Sequence, residues 1–305
     1  MQRPAHSPFH DGFAALLHEP ALLAAELMWR WCFAFSALAL AVISLALFLD
    51  SVTVSALDRF LLATFQPLLL PAALRHIFHG SLWRFVLEQS LLVMGLTLLW
   101  SFAAAAGRAA VLGRLVAMFR TGEEPQSLEW HLRPIFVLQL LRAVWSLVAV
   151  AAIAGAFLFG AAQAAAGHAF RSAAALSFGV GLALIAGALL NWSLGLAPLF
   201  CIRNGGGARQ ALDAALSFFS RQGGQLSLLA TGFLALRLVW AGTMCLAFLS
   251  PLKLTAHPGA RLVALLLALL ALVYFAGADL LRLAQWGAFV SLAEDDSPAV
   301  SPMSH

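Results

Sequence analysis

Charge is what this chain has least of. Asp, Glu, Lys and Arg together make up 10% of its 305 residues, where soluble proteins carry roughly a quarter, and this excludes a water-soluble globular fold. Lysine is nearly absent, since Lys253 is the single Lys among 18 basic residues. Cysteine is rare too. Cys32, Cys201 and Cys245 lie in or at the ends of apolar runs and share no CxxC spacing, so they read as small apolar side chains rather than a disulfide or metal cluster. No polar stretch between apolar runs is long enough for a soluble catalytic domain, and no G-x-S-x-G or P-loop motif occurs. The run 31–49 is too long, and follows too acidic a leader, for a cleavable signal peptide.

Apolar residues fill the rest. A hydrophobic content of 62% and a mean hydropathy of +0.90 mark an integral membrane protein. Runs long enough to cross a bilayer, for which about 20 residues suffice, occupy 31–49, 89–107, 134–162, 172–202, 225–249 and 262–290. The expected fold is an all-α polytopic bundle of about six transmembrane helices with interfacial amphipathic helices. Its parts are a leader over 1–30, a six-span membrane domain over 31–290 and a disordered acidic tail over 291–305.

Three segments outside the spans carry their own patterns. In the leader, Phe13, Leu16, Leu17, Ala21, Leu23, Ala24 and Leu27 oppose His18, Glu19 and Glu26, which predicts an interfacial helix bent at Pro20. After Gly205-Gly206-Gly207, the residues Ala208, Ala211, Leu212, Ala215, Leu216 and Phe219 follow one helical face. A helix lying flat on the leaflet is expected there, stopping at Gly223-Gly224. Residues 50–84, broken by Asp58, Arg59, Pro67, Pro71 and Arg75, read as short interfacial or re-entrant helices, with an extra span as the alternative.

Basic residues set the orientation. One face holds Arg3, Arg30, Arg108, Arg114, Arg120, Arg133, Arg203, Arg209, Arg221 and Arg282, ten in all, and the other holds Arg59, Arg75, Arg84, Arg171, Lys253 and Arg261, which is six. The positive-inside rule places both termini in the cytoplasm.

Ionisable side chains inside spans cost roughly 2.5–3.5 kcal/mol each, which singles out Arg142, Arg237 and Asp279, with Asn191 as a neutral companion. All four fall at a similar depth, roughly 12–18 Å from the cytoplasmic ends at about 1.5 Å per residue. Two readings stand side by side. In one, they line a cytoplasm-facing cavity for an anionic ligand such as a phospholipid headgroup, held on Arg142 with Arg237 fixed by Asp279. In the other, Arg237 and Asp279 form a structural ion pair, Arg142 snorkels, and Asn191 bridges helices. The stripe Gly179, Ala183, Gly187, Asn191 and Gly195 predicts close helix packing at the bundle centre. Arg203 and Arg209, around the glycine turn, are candidates for lipid-headgroup contact. His76-x-x-His79 lacks a third ligand nearby, so no metal site and no cofactor is expected.

The segments Ala14-Ala15-Leu16-Leu17-His18-Glu19-Pro20-Ala21-Leu22-Leu23, Leu196-Ala197-Pro198-Leu199-Phe200 and Ala211-Leu212-Asp213-Ala214-Ala215-Leu216-Ser217 together resemble a known family. It is the multi-pass membrane domain that accompanies some bacterial glycerophosphodiester phosphodiesterases and recurs in related uncharacterised membrane proteins. The resemblance implies a six-helix membrane fold and no activity, because the soluble phosphodiesterase domain with its catalytic carboxylates and metal site has no counterpart in these residues. The expected role is that of a non-enzymatic, lipid- or envelope-associated membrane component, with a small transporter or permease subunit as the alternative. Membrane lipids are the expected partners, with a membrane-protein partner or a second copy of the chain beside them. The dispersed basic residues give nucleic acid no patch to bind.

Overall fold

The computed structural model describes residues 7–52, 80–120, 129–252 and 260–296, and these form seven helices. They are α1 (Pro8–His18), α2 (Pro20–Ser51), α3 (Leu82–Phe119), α4 (Glu129–Ala165), α5 (Ala169–Asn204), α6 (Ala208–Leu252) and α7 (Ala260–Asp295). From α2 onward, six helices are long and apolar enough to cross a membrane, as the sequence predicts. Each also outruns the hydrocarbon core: 32 residues, the length of α2, span about 48 Å against a core of about 30 Å. The extra turns let the helices pack outside the apolar layer. The question of a re-entrant segment or added span between α2 and α3 falls on 53–79, outside the described residues, as do His76 and His79.

Local chemistry explains the breaks. The Ser7 side chain caps α1 by accepting from the His10 N–H, and Pro8 occupies its first turn. Pro20 forces the residue before it out of helical geometry, so Glu19 sits at φ −130°, ψ 78° and the leader forms two helices rather than one bent one. Gly205 closes α5 in the left-handed region at φ 66° and donates its N–H to the Cys201 carbonyl. Gly223-Gly224 does not stop the next helix. It weakens the ladder enough to kink α6 at Gln222 (φ −111°, ψ 19°). The expected surface helix and fifth span are therefore one kinked helix.

The chain divides into two compact units, one of residues 30–103 and one of 1–29 with 104–305. In the smaller unit α2 and α3 pack antiparallel. Phe33 meets Trp100 at 4.9 Å and Phe48 meets Phe85 at 4.8 Å between ring centroids, with a Gln89 to Ser44 hydrogen bond of 3.1 Å between them.

In the larger unit the core sits at one end. It is built from the C-terminal part of α3 (Leu112, Leu115), the start of α4 (Ile135, Leu138), the end of α5 (Leu196, Leu199, Phe200), the first half of α6 (Phe218, Leu226, Phe233) and the end of α7 (Leu283, Val290, Leu292). Antiparallel succession brings these segments together. Towards the opposite end, large apolar residues such as Phe157, Phe178, Leu246 and Val273 are exposed, as suits helices whose solvent is lipid.

Two predicted faces are corrected. The leader helix is docked rather than merely interfacial: Gly12, Ala15 and Leu16 are buried, and Phe9 and Phe13 pack on Phe233. A side chain at position 12 would collide with the Ala284 carbonyl of α7 and approach the Ala288 nitrogen to 2.9 Å. After Gly207, the inward face is Ala211, Ala215 and Phe218, while Leu216 and Phe219 are exposed; the apolar stripe is shared between core and surroundings. The small-residue stripe of α5 makes its close approach at Gly179, against Ala156 of α4, whereas Gly187 and Gly195 border open space. The tail boundary moves as well. Ser291, Leu292 and Ala293 are buried and α7 continues to Asp295, because Glu294 is taken up by Arg120 and Arg203 at 3.4 and 3.2 Å.

Candidate anion-binding cavity

At the packed end of the larger unit lies a cavity of about 270 Å³. α3 contributes Arg108, α4 Arg142, α5 Trp192, Gly195 and Leu196, α6 Arg237, and α7 Arg282, Gln285, Trp286 and Phe289. The absent side chain at Gly195 leaves room where the α5 stripe passes the other helices. Among the described residues, four guanidinium groups border the space and no carboxylate does.

Glutamines hold two of the four. Arg108 donates from Nη1 to Gln139 Oε1 at 2.7 Å, and Arg237 donates from Nη2 to Gln285 Oε1 at 2.6 Å. A glutamine carbonyl orients a guanidinium without cancelling its charge. Gln139 is only 2% exposed; since its oxygen faces Arg108, its Nε2 points away, buried and without an acceptor among the described residues. The Trp145 indole N–H is buried in the same state. Gln139, Arg142 and Trp145 follow one another at three-residue spacing on α4, which aligns them along one side of the helix.

The sequence-derived candidates separate. Arg142 and Arg237 reach the cavity. Asp279 is 6% exposed and does not border it, and Arg237 bonds Gln285 rather than Asp279. The reason is directional: helical side chains lean towards their own N-terminus, which carries the Arg237 guanidinium along antiparallel α7 beyond Asp279 to Gln285. Asn191 lies on α5 one turn before Gly195, its side chain outside the described residues. Arg203 packs against Glu294, with its guanidinium carbon 6.0 Å from the Phe200 ring centre and its side chain 12% exposed. Arg209 is exposed.

Arg108 and Arg282 were not predicted for the site: Arg108 reads in the sequence as a span-end anchor, and Arg282, inside the run 262–290, was counted only among the basic residues of one face. The signal that could have found them is helix continuity. An arginine with a further helical turn of apolar residues beyond it, as in Ala109-Ala110-Val111-Leu112 after Arg108, cannot sit at a helix end.

Fold and cavity together define a multi-pass, all-α integral membrane protein with a cluster of arginines at one end of its bundle. No family model, curated protein or solved structure matches the chain.

Proposed function

We propose that this protein is a non-enzymatic, lipid-associated component of a bacterial inner membrane, both termini cytoplasmic, that holds an anionic lipid headgroup in the arginine cavity. The observation that carries the reading is the convergence of Arg108, Arg142, Arg237 and Arg282 on one space without a bordering carboxylate among the described residues. Guanidinium forks suit phosphate and carboxylate oxygens. Trp192 and Trp286, also in the lining, are the residue type favoured at the headgroup level. At about 270 Å³ the space falls just below drug-sized pockets of roughly 300–1,000 Å³, which suits a headgroup whose tails stay in the bilayer. The surplus of arginine on the cavity's face supports the cytoplasmic assignment. A membrane domain of the phosphodiesterase-associated kind is consistent with this role.

The test is native mass spectrometry of the full chain taken from nanodiscs of phosphatidylcholine with increasing phosphatidylglycerol. The expected result is retention of the anionic lipid, reduced at least fivefold in an Arg142→Gln/Arg237→Gln variant. Equal retention of both lipids by parent and variant refutes the proposal.

A further inference from the structure

The charge around the cavity exceeds what an ordinary phosphodiester headgroup brings. Arg108, Arg142, Arg237 and Arg282 supply four positive charges. Asp279, one turn before Arg282 on α7, is buried; counted in full against them it leaves a surplus of three. A phosphodiester carries one negative charge. A terminal phosphate carries about 1.5–2 at pH 7 and three acceptor oxygens, and a diphosphate end carries more.

Donor geometry points the same way. Each guanidinium is a planar fork that suits phosphate oxygens, and the glutamine bonds of Arg108 and Arg237 orient two of the four. The lining presents four guanidinium groups and, among the described residues, no carboxylate, and the chemical complement is an end group with several anionic oxygens.

We propose that the cavity selects a terminal phosphate, a phosphomonoester or diphosphate end group, over the phosphodiester of a common headgroup. This rests on the reading of the cavity as an anionic headgroup site. Arg142 and Arg237 grip the terminal oxygens, and Gln139 and Gln285 keep Arg108 and Arg237 aimed inward.

The full chain in phosphatidylcholine nanodiscs is titrated with phosphatidate and, separately, with phosphatidylglycerol of matched acyl chains, binding being read by native mass spectrometry. Phosphatidate is expected to bind at least tenfold more tightly, about 1.4 kcal/mol, and Arg237→Gln is expected to bring the ratio below threefold. Thermal unfolding of the variant reports separately on folding. Equal affinity for the two lipids overturns the terminal-phosphate selection and leaves the headgroup site standing. Saturable binding of neither overturns the headgroup site and the selection with it. Glycerol 3-phosphate as competitor separates the sources: displacement at a concentration comparable to phosphatidate's supports the terminal-phosphate preference but assigns it to a soluble ligand, and no displacement supports the lipid.

Discussion

Replacing Glu294 with Gln is expected to loosen the packed end of the larger unit. The Glu294 carboxylate stands 3.4 Å from Arg120 Nε and 3.2 Å from Arg203 Nε, with side-chain exposures of 14%, 25% and 12% in that order. Removing one partner from a buried ion pair costs roughly 3–5 kcal/mol, because the remaining charge is left uncompensated. Two features reduce that figure here. Arg120 is a quarter exposed, and its Nη2 also donates to the Arg203 carbonyl at 3.3 Å, so about 2–3 kcal/mol is expected for Glu294→Gln. For a chain of this size 1 kcal/mol moves Tm by roughly 2–4 °C, which gives a fall of about 4–12 °C. The assay is thermal unfolding of detergent-solubilised parent, Glu294→Gln, Arg203→Gln and the double variant. A coupling of at least about 1 kcal/mol between the two sites is expected. A Tm for Glu294→Gln within about 1 °C of the parent, or additive single effects, would refute the clasp.

Gly12→Leu is expected to undock α1, because the new side chain meets the Ala284 carbonyl; limited proteolysis should cut before Pro20 at least tenfold faster than in the parent, and unchanged protection would contradict the packing. The Glu19 carboxyl is held below its usual value of 4.5, first by its hydrogen bond from Arg114. Its stabilisation is therefore complete above the unfolded value and lost as pH falls through the lowered folded one. The stability gap between parent and Glu19→Gln should close below about pH 4, and a gap that widens there would reverse the sign. Gly207→Cys, in a chain with Cys32, Cys201 and Cys245 replaced by Ala, should react with an impermeant maleimide only from the cytoplasmic side; labelling only from the opposite side would invert the proposed topology.

Most of the fold was legible because lipid-facing helices announce themselves. Long uncharged runs such as 31–49 or 172–202 have no soluble counterpart, and the structure holds each inside one long helix. Where helices meet one another, sequence period says less. The stripe Ala208 to Phe219 predicts an apolar face but not that Phe218, off the stripe, would be the side chain buried completely. Pro20 was legible as an interruption and not as a boundary, since deciding between a kink and two helices depends on what α1 packs against. The cavity was half legible. Arg142 and Arg237 stand out as charges amid apolar residues, whereas Arg108 and Arg282 look ordinary until antiparallel packing sets them beside the others. Gln139 and Gln285 carry no sequence signal of their own, because neutral amides near span ends are unexceptional.

The core of the larger unit, gathered at one end, makes that unit mechanically unequal along its length. Near the cavity the helices are wedged by interlocking side chains and by the Glu294 clasp, so their spacing is a property of the protein. Towards the other end the helices meet in pairs, α4 with α5 at Ala156 and Gly179 and α6 with α7 at Trp240 and Gly277, and residues such as Phe157 and Leu246 are exposed. Thinning or thickening of the surrounding bilayer is therefore met first by the lipid-exposed ends of those pairs, while the core beside the cavity holds the arginines' separation. The arginine cavity sits where the protein's own packing, rather than the lipid, sets the distances.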